Sequence, residues 1–147
     1  MRSIRKLITV CLAVLAAVAV GATPAHAATN WTTYMTDGDV VGVHAAGTLE
    51  YHSDGRLYMY GTIKDTKSDG YGACLHITAI YADGGVRKEA RCNAVGYGES
   101  ISVGPAPGGY FSFASNVREL IAEEGLRLKD GTIAWPPEGQ TATIWRK

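Results

Sequence analysis

The chain has 147 residues, with fourteen basic and fourteen acidic side chains and therefore no formal net charge. That length fits one domain with a single core, and the charge balance excludes a strongly basic nucleic-acid binder.

The first element in chain order is an export leader. Arg2, Arg5 and Lys6 precede an apolar run from Leu7 to Val20, and Ala25-His26-Ala27 supplies a small-x-small exit. These are the three parts of a secretory signal peptide, here Met1 to Ala27. The apolar run is shorter than the roughly twenty residues a bilayer span requires, so no anchor is expected after cleavage. Cys11 lies within the run rather than at its end, which argues against lipidation. Cleavage leaves residues 28–147 as a secreted domain. The leader takes three basic residues and no acids, leaving eleven against fourteen, a net charge of −3. Neither nucleic acid nor an anionic membrane is an expected partner.

Two cysteines remain, Cys74 and Cys92, in a compartment that permits oxidation, and a disulfide between them is predicted. A redox or metal-binding pair would want close spacing such as C-x-x-C, whereas these lie eighteen apart. Glycine accounts for seventeen residues of the mature part, about twice the usual share, so the chain turns often. Short alternating runs between Asp-Gly and Gly-Gly turns predict an all-β fold.

The stretch from Ala28 to Thr33 reads as mobile. Strands are then predicted at Val40 to His44, Thr48 to His52, Arg56 to Lys64, Tyr71 to Ala82, Val86 to Val95, Ser100 to Val103 and Tyr110 to Ala114. Thr132 to Trp135 and Thr141 to Trp145 complete the set, separated by the rigid turn Pro136-Pro137-Glu138-Gly139. Ser53-Asp54-Gly55 suits a three-residue hairpin loop with Gly55 in the left-handed region. That loop sets His52 against Arg56. It sends Leu49, Tyr51, Leu57 and Met59 to the core, and Thr48, Glu50, His52, Arg56, Tyr58 and Tyr60 to the surface. A second loop at Asp83-Gly84-Gly85 would pair Ala82 with Val86 and put Cys92 opposite His76, a register at odds with the disulfide. Asn116 to Gly125 reads either as a helix, opened by Asn116 with Glu119, or as a strand interrupted by Glu124; Gly125 to Lys129 reads as strand. About eight to nine short antiparallel strands of this kind predict a two-sheet β-sandwich.

Catalytic patterns are sparse. Gly98-Glu99-Ser100-Ile101-Ser102 lacks the second glycine of a nucleophile elbow and reads as a strand start. His44, His52 and His76 show no metal-ligand spacing. Asp65, Asp69 and Gly70 resemble part of a calcium loop, but Lys67 occupies a ligand position and no acid closes the loop, so an exposed turn is expected. Glu123-Glu124 is an acidic pair without a partner across a cleft. Asn30-Trp31-Thr32 matches a glycosylation sequon at what reads as a frayed start. No cofactor or metal is implied.

The most suggestive pattern is Tyr58 and Tyr60 alternating with Glu50, His52, Arg56 and Lys64 on the outer face of the first hairpin. Flat aromatic rings beside directional polar groups suit a glycan or protein surface, although β-propensity alone also places tyrosines there.

From Gly61 to Ser100 the run G-T-I-K-D-T-K-S-D-G-Y-G-A-C, then Asp83-Gly84-Gly85, A-R-C-N and Gly96 to Ser100, resembles small exported actinobacterial proteins. Those have a leader and a β-rich domain with one disulfide. The resemblance implies fold, bond and localisation, and carries no functional residue. The expected function is that of a secreted, non-catalytic protein binding a glycan, a cell-wall component or an extracellular protein through Glu50, His52, Arg56, Tyr58 and Tyr60. One alternative is a secreted inhibitor of an extracellular hydrolase, presenting the loop Gly104 to Gly109. The other is a small secreted hydrolase using a histidine or carboxylate pair.

Overall fold

The computed structural model describes residues 27–147 except Ala106 and Glu138; the predicted leader, Cys11 included, lies outside the described residues apart from Ala27. Among the described residues the chain forms ten strands and no helix. In chain order they are β1 (Thr29–Thr32), β2 (Val43–Tyr51), β3 (Leu57–Asp65), β4 (Gly72–Tyr81), β5 (Val86–Asn93), β6 (Ser100–Ser102), β7 (Phe111–Phe113), β8 (Val117–Arg127), β9 (Ile133–Ala134) and β10 (Ala142–Arg146). One sheet runs β1-β2-β3, with β6 and β7 sharing the free edge of β3; the other runs β10-β8-β4-β5, with β9 also on β8. All pairings are antiparallel. The described part of the chain is therefore an all-β, two-sheet sandwich.

One local device closes three of the hairpins. Ser53-Asp54-Gly55, Ala82-Asp83-Gly84 and Lys129-Asp130-Gly131 are each a three-residue loop whose glycine has φ of 77°, 82° and 88° respectively. In each, the aspartate carboxylate accepts the N–H two residues on, from Arg56, Gly85 and Thr132, at 2.9 Å. Flanking pairs His52 with Arg56, Tyr81 with Gly85 and Leu128 with Thr132 close the loops by backbone bonds of 3.0, 2.9 and 2.8 Å. The aspartate fixes the turn and the glycine supplies the conformation a side chain would resist.

This device corrects the predicted register of the second hairpin. The left-handed residue is Gly84, so the loop begins one residue earlier than Asp83-Gly84-Gly85, and Ile80 pairs with Val86. Cys74 then stands directly opposite Cys92, and the two form a disulfide across β4 and β5. Denatured protein is expected to show no free thiol from this pair before reduction. Cys74→Ala with Cys92→Ala should lower the unfolding free energy by about 2–3 kcal/mol in urea titrations. No measurable loss would mean that the hairpin alone supplies the constraint.

The other differences also have local causes. Val40 to His44 and Thr48 to His52 are not two strands: β2 runs unbroken through Ala45-Ala46-Gly47 while Val40 turns outside it, accepting a bond from Val43 N–H. The start of the domain is a strand rather than a mobile stretch, because Trp31 on β1 pairs with Gly47 and is only 4% exposed. Its indole donates to the Tyr60 carbonyl at 2.9 Å and lies where a side chain on Gly61 would have to be, 2.7 Å from a Cβ built there. Gly61 leaves the seat for the indole, while its cross-strand partner Gly47 lets the two backbones approach, since a Cβ there would meet the Tyr60 carbonyl and Gly61. Residues 117–127 are one strand, so the helix reading of Asn116 to Gly125 fails.

Leu49, Leu57, Met59, Ile63, Phe111 and Phe113 of the first sheet face Leu75, Ile77, Leu120 and Ala122 of the second, and all are buried. Arg87 and Arg91 on β5 donate to the carbonyls of Ser112 and Ser102 at 2.8 Å, tying the two sheets along one side. Glu124 on β8 also points into this interior, 0% exposed. Its carboxylate accepts the Thr33 hydroxyl and, at 2.7 Å, the Val40 N–H. Satisfied in this way, an acid can occupy a core position of a strand, where Glu124 looks like an interruption in the hydrophobic pattern. Burial holds its carboxyl above the usual range.

Candidate functional site

The first hairpin sorts its side chains as predicted: Leu49, Leu57 and Met59 are buried, while Glu50, Tyr58 and Tyr60 lie on the outer face. The register Glu50 with Tyr58 and Thr48 with Tyr60 follows from the Asp54 turn. The His52 ring stacks on Tyr58 with centroids 3.9 Å apart and planes at 22°. Tyr58 and Tyr60 lie side by side at 6.3 Å and 17°. The structure adds a fourth ring, Tyr110, which precedes β7 and leans on Tyr58 and Tyr60 at 5.1 and 5.5 Å. Because β7 pairs with β3 through Met59 and Phe111, Tyr110 arrives beside Tyr60. That pairing spans some fifty residues, and nothing in the local pattern of 104–114 signals it.

Polar groups surround the rings. Tyr58 donates its hydroxyl to Asp54 at 2.7 Å, the Tyr60 hydroxyl meets His52 Nε2 at 3.2 Å, and Arg56 donates to the Ser112 hydroxyl at 3.1 Å. Glu50 accepts from Thr48 at 3.4 Å and lies 3.9 Å from His52. The Arg56 N–H and the Tyr58 hydroxyl hold Asp54 below the usual carboxylate range. The same bond to Asp54 raises the Tyr58 hydroxyl, and partial burial raises that of Tyr60, with Glu50 and Tyr110 adding to it. At neutral pH the patch therefore offers neutral phenols and an ionised Asp54, with the Glu50 carboxyl group and the Arg56 guanidinium at its margin. Such a surface can stack on an apolar ring face and exchange hydrogen bonds at its margin.

The five residues predicted as a site, Glu50, His52, Arg56, Tyr58 and Tyr60, thus share one face. Asn30 of the sequon pairs with Thr48 on the neighbouring strand, so it is part of a sheet and not of a frayed end. The other candidates disperse. His44 sits at the far end of β2, beside Tyr34 at 5.5 Å. His76 lies on the second sheet, with Nδ1 3.2 Å from Glu123 and Trp135 at 5.6 Å. Both cysteine sulfurs beside that pair are consumed by the disulfide. Glu123 and Glu124 point to opposite faces of β8, one to His76 and one into the core. Among the described residues no three His, Cys, Asp or Glu side chains are grouped to hold a metal ion. Ser100 begins β6, as a strand start should. Asp65 is buried rather than exposed, because it ends β3 and its carboxylate accepts the Lys67 N–H.

No family model, no curated protein and no solved structure matches this chain.

Proposed function

We propose that the mature domain is an exported, non-catalytic binding module that takes a glycan or cell-wall component on the outer face of the first sheet. The observation that carries this reading is the gathering of His52, Tyr58, Tyr60 and Tyr110 into one patch rimmed by Asp54, Arg56, Glu50 and Ser112. Sugar rings present apolar C–H faces with hydroxyls at their edges, and this patch offers the complement of both. The leader pattern and the disulfide support export.

Immobilised wall polysaccharides and soluble oligosaccharides are the ligands to test. Tyr58→Ala with Tyr60→Ala, and Tyr110→Ala separately, are expected to weaken binding by about tenfold for each stacking ring removed. Thermal unfolding controls for folding. Undiminished binding by both variants would place the ligand elsewhere.

A second reading, inhibition of an extracellular hydrolase, draws on the loop Gly104 to Gly109. Its two ends are joined by a bond from Gly104 N–H to the Gly109 carbonyl at 3.1 Å, and a loop fixed at its base is an element that can present a contact. Inhibition that vanishes when this loop is cut, with glycan binding absent throughout, would favour this reading.

A further inference from the structure

Three loops meet at the end of the sandwich where β3 and β8 finish. They are the crossing from β3 to β4, the link from β5 to β6 and the x-Asp-Gly turn after β8. Between them lies a cleft of about 380 Å³ whose walls include Lys67, Tyr71, Tyr97, Arg127 and Lys129. The mature chain is acidic overall, yet three cations converge here.

Two of the three cations, Arg127 and Lys129, are not spent on neighbouring acids. Lys67 pairs with Asp69 at 3.4 Å, and the other acid in the wall, Asp65, is 3% exposed and turned to the Lys67 N–H. Among the described residues no carboxylate lies within ion-pair distance of Arg127 or Lys129. The Lys129 stem lies over Gly70, where a built Cβ would be 2.9 Å from Cε, so the absent side chain admits the lysine to the cleft. Tyr97 stands 63% exposed on the opposite loop and Tyr71 is also exposed.

The walls are stiff. Buried Asn93 donates to the Ile63 and Glu99 carbonyls at 3.1 and 2.7 Å and accepts the Val95 N–H at 3.0 Å. Gly98 N–H is bonded to the Asp65 carbonyl at 2.9 Å. Asp69 accepts the Tyr71 N–H at 3.0 Å. A cleft of this size, formed by loops on a rigid sandwich, falls in the range of small-ligand sites. Guanidinium and ammonium groups recognise carboxylate or phosphate oxygens, and tyrosine faces take a sugar ring.

From this we propose a second binding site, separate from the aromatic face, that takes an anionic sugar unit. Arg127 and Lys129 receive its carboxylate or phosphate, and Tyr97 or Tyr71 packs against its ring.

Backbone amide spectra of the mature protein, titrated with digalacturonate, with glucose 6-phosphate and with neutral maltose, test this. The acidic probes distinguish carboxylate from phosphate as the preferred anion. The expected result is saturable shifts at Gly70, Gly72, Gly96 and Lys129 with at least one acidic probe. They should weaken with added salt and be absent with maltose. Arg127→Gln with Lys129→Gln should reduce that affinity tenfold or more while leaving the amide spectrum dispersed. Tyr58→Ala with Tyr60→Ala should leave it unchanged. Absence of shifts with both acidic probes, equal shifts with maltose, or unaltered affinity in the Arg127/Lys129 variant would each overturn the proposal.

Discussion

Trp31→Ala is expected to destabilise the domain by about 3–5 kcal/mol, the range for removing a large buried aromatic. For a domain of this length that lowers the melting temperature by roughly 10–20 °C. Two losses combine in that figure. The indole fills the place of a side chain on Gly61, so its removal opens a cavity that this glycine has no side chain to refill. The Tyr60 carbonyl also loses its donor. Trp31→Phe separates the two, since it restores most of the apolar area without the N–H; about 1 kcal/mol should then remain missing. Equilibrium urea unfolding followed by far-ultraviolet circular dichroism measures both. A loss below 1 kcal/mol for Trp31→Ala would mean that β1 is frayed in solution and contributes little.

The second large effect belongs to Glu124. Glu124→Ala should cost about 3–4 kcal/mol, because it strands the Val40 N–H, removes one of the Thr33 hydroxyl's partners and leaves a void between the sheets. Glu124→Gln should behave differently. Its amide oxygen can accept from Val40, and its NH₂ can donate to the Thr33 hydroxyl, which can direct its own proton to the Ala45 carbonyl 3.0 Å away. The native carboxyl has a folded pKa above its unfolded value. The folded state therefore holds a proton that the unfolded state releases, and stability falls as pH rises from the unfolded pKa through the folded one. Above that window the penalty for a buried carboxylate is constant. Glu124→Gln is expected to abolish this acid-side slope and to match or exceed the native stability at neutral pH. Denaturation midpoints from pH 4 to 8 decide the matter, and an unchanged slope in Glu124→Gln would assign it to other groups.

What the sequence discloses depends on how local the cause is. The first hairpin is legible because Ser53-Asp54-Gly55 has a single glycine, so only one residue can take the left-handed conformation, and register and faces follow. Asp83-Gly84-Gly85 offers two glycines. The choice between them is made by the aspartate, whose carboxylate binds the N–H two positions on, and the same preference at Asp54 and Asp130 would have chosen Gly84. Thr29–Thr32 has no alternation to read, since its one buried residue pairs with Gly47 and occupies the space left by Gly61, both on other strands. Glu124 looks like a strand breaker until its partners, 84 and 91 residues away, are known. The ring patch was half visible: Tyr58 and Tyr60 share a strand, whereas Tyr110 joins them only through the β3–β7 pairing. The cationic cleft was not visible at all, because its walls come from three loops that meet only after both sheets have formed.

The sharing of sheet edges has a consequence for self-association. An open β-sheet invites another copy to add a strand along its free rim, and a long flat rim is the usual starting point for fibres. Here β6 and β7 divide one rim with the Gly104–Gly109 loop between them, and β9 and β10 divide another around Pro136-Pro137. A third rim, β1, is four residues long. The longest continuous rim is β5, which carries Arg87, Lys88, Glu89 and Arg91. Two of those arginines are already turned back to close the sandwich on itself. An incoming strand thus finds either too short a template or a charged one, so edge-to-edge addition of further copies is disfavoured at each rim.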